Sequence, residues 1–224
     1  MKNKTITDKE NVINIYLTNI NEFKIYRHEN HSENPIARII RSDDLDTFIS
    51  TIEKLSVNIF TYKISNSFFE HQCIFCNVDL ISYAAGFGSL KIFKYLLMKK
   101  VRISKFIHKY AIIGGNYEII HILEENNIEF NSDSITTAIQ YHQNEILNYL
   151  HSTIGLNYEK NHLFISFEFF NYYTLNEIYA ENPDFFDLYE IGNKIFYESC
   201  KCGFITLSSF LINQDFVNFI LHHI

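Results

Sequence analysis

Two short apolar stretches joined by a small-residue turn, YAIIGGNYEIIHIL at 110–123, recur in altered form along most of the chain at an offset of 27 residues. Placing Ala111 on Ala84 and on Ala138 also superimposes Gly88 on Gly115, Ile92 on Ile119 and Ile146, and Leu96 on Leu123 and Leu150. Self-similarity at a period of this length marks stacked repeats, each burying its apolar face only against its neighbours.

The turn position supplies the local reason. In six candidate copies the residue four after the small or apolar anchor is Asp43, Gly88, Gly115, His142, Asn171 and Gly203. Gly reaches positive φ without steric cost, and Asn, Asp and His are the other residues enriched there. A helix that ends in a left-handed residue and restarts at once is a helix-turn-helix unit. The spacing predicts helix pairs at 36–40 and 45–52, 78–85 and 89–97, 107–113 and 117–125, 134–141 and 144–152, 163–170 and 174–181, and 194–202 and 205–212. Helices this short are marginal alone in water, so stacking must hold them.

The stack needs ends. Residues 1–34 show a helical apolar rhythm and read as an N-terminal helical cap, and Pro35 suits the first turn of the next helix. Residues 35–224 read as a single continuous array. The long link at 53–77 has room for a short helix at 67–70, and 214–223 reads as a closing helix. The fold class expected is therefore all-α, a solenoid of about six stacked helix-turn-helix repeats under an N-terminal cap. Two prolines and seven glycines argue against a turn-rich β-sandwich, and 16% aromatic content argues for burial. No apolar run approaches the roughly 20 residues of a membrane span, and the first residues lack the apolar core of a secretory signal. The expected setting is the cytoplasm, with the nucleus as the alternative.

The stretches LISYAAGFGSLKIFKYLL at 80–97, YAIIGGNYEIIHILEENNI at 110–128 and AIQYHQNEILNYL at 138–150, with SNSFFE at 65–70, resemble the divergent ankyrin repeat arrays of the domain-of-unknown-function 3447 type. The resemblance covers the chain from about residue 36 and is strongest at 80–150. It implies an ankyrin-type stack of antiparallel helix pairs with inner helices lining a concave face, and protein binding rather than catalysis. The chain departs from ordinary ankyrin repeats in lacking the Thr-Pro-Leu-His opening, and 27 residues leave little room for a β-hairpin finger, so short loops should project instead.

Motifs for chemistry are absent. Gly86-Phe87-Gly88 lacks the further glycine and lysine of a phosphate loop. Cys73 and Cys76 with His71 have a zinc-like spacing, but the repeat model places Cys200 and Cys202 some four units away, and free thiols are the expected reading, with no metal and no cofactor. His121 lies among apolar residues and is expected as a hydrogen-bonded core group. The chain is read as a non-enzyme.

Charge is the stronger signal. Seven bases and no acid lie between Ile81 and Lys109, whereas Lys160 is the only base among thirteen acids from Tyr110 to Glu190, on a chain of net charge −7. The bland account is solvated surface; the sharper one is that Lys99, Lys100, Arg102, Lys105 and His108 contact another protein through an acidic surface. Overall acidity argues against nucleic acid. The function expected is a non-catalytic protein-interaction adaptor, with a structural scaffold or assembly subunit, cytoskeletal in kind, as the alternative. Neither the partner's identity nor the oligomeric state is readable from the residues.

Overall fold

The computed structural model describes Ser32, residues 34–65 and 77–185, and scattered positions between 193 and 209. Among them ten α-helices are bounded, and strand is confined to one two-residue ladder, so the fold is mostly helical. The chain divides into two compact units, Met1–Ile128 and Glu129–Ile224.

The first unit holds α1 (Pro35–Arg41), α2 (Leu45–Lys54), α3 (Leu80–Gly86), α4 (Leu90–Met98), α5 (Ile107–Gly114) and α6 (Tyr117–Glu125). Within each pair the two helices pack together, and successive pairs stack in register: α1 meets α3, α3 meets α5, α2 meets α4 and α4 meets α6. The core follows the repeat. Ala84 and Ala111 are fully buried on the first helices, as are Phe93, Leu96, Ile120 and Leu123 on the second. Each large aliphatic side chain so buried contributes about 1.5–3 kcal/mol. The tightest approach is between α3 and α5, where a Cβ on Gly114 would overlap the carbonyl oxygen of Ala85.

The second unit holds α7 (Ser132–Gln140), α8 (Asn144–Ser152), α9 (Lys160–Glu168) and α10 (Tyr172–Glu181), followed by a 3-10 turn at Pro183–Phe185. Here α7 packs on α8 and α9, and α9 on α10. Ala138, Ile139, Leu147, Leu150, Leu163 and Ile178 form its core.

Left-handed residues join the helices of a pair, as the turn analysis expects, at Asp43 (φ 51°), Gly88 (φ 66°), Gly115 (φ 68°) and His142 (φ 54°); Gly203 is left-handed too (φ 73°). At Gly88 its N–H reaches the Ala85 carbonyl at 3.1 Å and the Ser89 N–H reaches that of Ala84 at 2.9 Å, so the helix end leaves few carbonyls unsatisfied. The fifth turn corrects the sequence reading. Phe170 is the left-handed residue (φ 59°), while Asn171 has φ −82° and caps α10 by accepting from the Thr174 N–H. A helix cap uses the short amide side chain of Asn, which a left-handed position does not require.

The second helix of each of the first four pairs ends the same way, at Ser56, Lys100, Asn127 and Gly155, all with positive φ, whereas α10 ends at Asn182 with φ −133°. An apolar residue follows each: Val57, Val101, Ile128 and Leu156. At the first three, its N–H returns to the carbonyl of Ile52, Leu96 or Leu123 at 2.9–3.1 Å.

Side chains at the turns also tie one pair to the next. Ser89 Oγ donates to the Ile40 carbonyl at 2.5 Å, and the Asp43 carboxylate accepts from the N–H groups of Lys91 and Ile92 at 3.1 and 3.0 Å. The Asn116 amide donates to the Gly88 carbonyl at 3.1 Å. In the second unit Asn171 Nδ2 donates to the Ile139 carbonyl at 3.1 Å and to Asn144 Oδ1 at 2.8 Å, and the Phe169 carbonyl accepts from His142 Nε2 at 2.9 Å. Ser89, Asn116 and Asn171 occupy one repeat position, the residue between the left-handed turn and the second helix.

Two further differences from the sequence reading stand in the first unit. The first helix of the second pair begins at Leu80, not 78, because Val78 and Asp79 pair antiparallel with Ile64 and Lys63. Val78 is β-branched and suits that ladder, and Asp79 caps α3 by accepting from the Ser82 N–H at 2.8 Å. His121, expected in the core, is exposed and meets the Glu124 carboxylate at 3.0 Å. All of the N-terminal cap but Ser32 and Asn34, the helix at 67–70 and the closing helix at 214–223 lie outside the described residues, as do most of the sixth pair and Cys73, Cys76, His71 and Cys202.

Candidate recognition surface

The basic block resolves into two kinds of cation. Lys94 on α4 pairs with Glu118 on α6 at 2.9 Å. Lys91, at the start of α4, stands where the Asp43 carboxylate caps that helix. Four others, Lys99, Lys100, Arg102 and Lys105, are exposed, and among the described residues none has an ion pair. All four lie at 99–106, where α4 ends and α5 begins.

This loop is built from the helix end outward. Lys100 takes the left-handed turn (φ 59°) and its N–H bonds the Leu97 carbonyl at 2.9 Å. The buried Val101 then anchors the chain on Leu96 through a 3.1 Å hydrogen bond. Ser104 closes it, accepting at its carbonyl from the Ile107 N–H at 3.1 Å and at Oγ from the Phe106 N–H at 3.3 Å. From the left-handed residue to the next helix there are six residues, 101–106, against four at 128–131 and four at 156–159. A lysine at positive φ is also less favourable than Asn127 or Gly155 at the matching positions. Backbone strain of this sort persists where the surroundings enforce it, and clusters at functional sites.

Apolar side chains share the surface. Met98 is 73% exposed and Phe106 53% exposed. The Lys99 ammonium lies 5.4 Å from the Tyr95 ring centroid and that of Lys105 4.8 Å from the Phe106 centroid. Sequence reasoning passed over Met98 and Phe106. The 27-residue alignment held the clue for Met98, since it falls on the exposed Glu125 and Ser152 of later copies.

His108 is corrected by the structure: it is buried at 4% exposure on α5, and the Lys105 carbonyl accepts from its Nδ1 at 3.0 Å. Its neighbours along the helix face, Ala111 and Ile112, are fully buried, so helical periodicity places it inside despite the cations before it. Its part is to hold the loop's end. The turn residues Asp43, Gly88, Gly115 and His142 serve the backbone, as the fold requires.

Residues 98–179 match the model of a family described as a domain of unknown function (DUF3447). The matched stretch begins at Met98 and so takes in the whole basic loop. No curated protein and no solved structure matches the chain.

A second cluster of polar groups lies in the other unit. The buried His162 on α9 faces Ser132 at the start of α7, with Nε2 3.3 Å from both Ser132 Oγ and the Ser132 carbonyl. A serine beside a histidine suggests a nucleophile and its base, but the tautomer forbids it. Nδ1 accepts from the Glu159 N–H at 2.9 Å, so the hydrogen sits on Nε2, which donates toward Ser132 and cannot take a proton from it. Burial holds the His162 pKa below its ordinary range, which favours this neutral form. Tyr158 stacks on His151 at 4.8 Å and donates to Glu177 at 3.2 Å. Burial first, then the Glu177 charge, pushes its hydroxyl pKa up, so it stays protonated. His162 thus links α9 to α7, and Tyr158 links the stretch before α9 to His151 on α8 and Glu177 on α10. Among the described residues no cluster of His, Cys, Asp and Glu is placed to hold a metal ion, and no helix is long and apolar enough to cross a membrane.

Proposed function

We propose that the chain is a non-catalytic protein-recognition module, an ankyrin-type stack of helix pairs that presents the loop at 99–106 to an acidic surface on a partner protein. The observation that carries this reading is the loop itself: longer than the two that follow it at 128–131 and 156–159, turned through a lysine at positive φ, and bearing four exposed cations with no ion pair among the described residues. Unpaired cations cost little to bring against carboxylates, because no existing pair must be broken, and they steer association over roughly the 8–10 Å Debye length of ordinary buffers. Met98 and Phe106 supply the apolar area that charge alone lacks, and exposed apolar groups ringed by polar ones mark interaction sites. The match of 98–179 to the DUF3447 model is compatible with the ankyrin-type reading.

Reversing Lys99, Lys100 and Arg102 to Glu tests the proposal by affinity capture. Recovery of the partner should fall by at least tenfold. Undiminished recovery would remove the loop from the interface.

A further inference from the structure

The 99–106 loop carries a single hydroxyl. Ser104 is the only Ser or Thr between Ser89 and Ser132, and the only one in the chain with no Asp or Glu within ten residues on either side. Lys99, Lys100 and Arg102 precede it by five, four and two positions, and Lys105 follows directly. Residues 101–104 belong to no helix or strand, and among the described residues the N–H groups of Arg102, Ile103 and Ser104 donate to no backbone carbonyl, so this stretch can leave the surface without breaking a helix. Ser104 is partly exposed. Its Oγ accepts from the Phe106 N–H at 3.3 Å, and its own hydrogen is committed to no acceptor among the described residues. Hydroxyls at the ends and faces of other helices are tied down: those of Ser42, Ser50 and Ser152 donate to backbone carbonyls at 2.9, 3.1 and 2.6 Å.

We propose that Ser104 is a phosphorylation site for a protein kinase that selects cations before its target serine, and that the phosphate switches off the loop's recognition of an acidic partner. The inference rests on the reading of that loop as a recognition surface and names its regulation. Such kinases read their substrates by charge pattern, through carboxylates that meet cations N-terminal to the serine. Lys99, Lys100 and Arg102 present that pattern, and no acid nearby opposes it. In the transfer Ser104 Oγ bonds to the γ-phosphorus of ATP as the bond from that phosphorus to the β-bridging oxygen breaks. ADP departs with the electron pair of that bond, and the hydroxyl proton passes to the kinase's general base and then to solvent. The phosphate brings about −1.5 to −2 charges at neutral pH, which roughly halves the excess of the loop's four cations. Its oxygens are also strong acceptors for Arg102 and Lys105, the cations nearest in sequence, and compete for them with a partner's carboxylates.

The test incubates the full chain with ATP and either of two cation-directed kinases, the catalytic subunit of cyclic-AMP-dependent kinase or protein kinase C, and reads the product by intact mass and peptide fragmentation. One phosphoryl group should appear at Ser104 with at least one of them. Ser104→Ala should take up none, and K99S/K100S/R102S should slow the transfer about tenfold, each variant first matched to the wild type in helicity by circular dichroism. No incorporation at Ser104 with either kinase overturns the proposal, as does a rate that the loop substitutions leave unchanged. Affinity capture then reads the switch. Recovery of the partner should fall at least about fivefold on phosphorylation and return after phosphatase treatment, while kinase-treated Ser104→Ala recovers as much as untreated Ser104→Ala. If phosphorylation leaves recovery undiminished but K99E/K100E/R102E abolishes it, the switch falls and the recognition reading stands. If recovery survives both, the recognition reading falls and the switch with it.

Discussion

The two units share polar ties at their turns but bring adjacent first helices together by different means. In the first, α3 and α5 approach through Gly114 and Ala85 so closely that backbone meets backbone, and a Cβ at Gly114 would stand 2.8 Å from the Gly88 nitrogen as well. In the second, α7 and α9 are joined by a buried histidine, and Asn171 spans the turns with three hydrogen bonds. The same repeat thus tolerates two solutions to the stacking of adjacent first helices. Close packing gains dispersion at every atom but accepts no added volume. A polar bridge accepts looser spacing but must keep every donor and acceptor matched.

The largest expected effect separates these modes. Gly114→Ala should destabilise the first unit by about 3 kcal/mol, because neither backbone can yield locally. Gly155→Ala, with nothing within 4 Å, should cost only the left-handed backbone penalty of about 1 kcal/mol. Hydrogen exchange read separately over 80–125 and 132–181 measures both, and equal costs would erase the distinction.

Asn171→Ala should lower the stability of the second unit by about 2 kcal/mol, combining a lost helix cap with an unsatisfied Ile139 carbonyl. Exchange should accelerate across α7 and α10 together. Acceleration confined to α10 would mean that the bond to Ile139 carries no weight.

A third, smaller difference concerns pH. The folded pKa of His162 lies below its ordinary value of 6.5, so the unfolded chain takes up a proton first as pH falls. The contribution of neutral His162 is complete above about pH 6.5 and declines below it, until the folded pKa is reached. The unfolding midpoint should therefore drop between pH 7 and 5, and the drop should shrink in His162→Gln. An unchanged drop in that variant would assign it to other groups.

The smallest effect should come from the outer surface, where Lys94→Ala is expected to cost no more than about 0.5 kcal/mol because the pair with Glu118 is solvated. A larger loss in chemical denaturation would make the ion pair a structural tie.

Much of this fold was legible before any coordinate. The 27-residue offset and helical period placed α6 and α8 at their observed bounds, Tyr117–Glu125 and Asn144–Ser152. The turn chemistry at Gly88, Gly115 and His142 was readable because only a few residue types enter positive φ easily. Phe170 was not readable, since an aromatic residue gives no signal for a left-handed turn, and the nearby Asn171 drew the assignment one position away. His108 was misplaced because charge clustering was weighed above helical periodicity. The bonds from Ser89, Asn116 and Asn171 to the preceding pair connect residues 28 to 49 apart, a separation that local propensity does not sense. The loop's cations were visible in the sequence, but which of them were already paired was not.

That last difference gives the most direct test of the central claim, that recognition uses the unpaired cations of the 99–106 loop. Quantitative affinity capture should compare two charge reversals on the same background, K99E/K100E/R102E in the loop and K91E/K94E on α4. The loop reversal should abolish recovery of the bound proteins while the α4 reversal leaves it within about twofold. Equal recovery with both variants, or equal loss, would contradict the account.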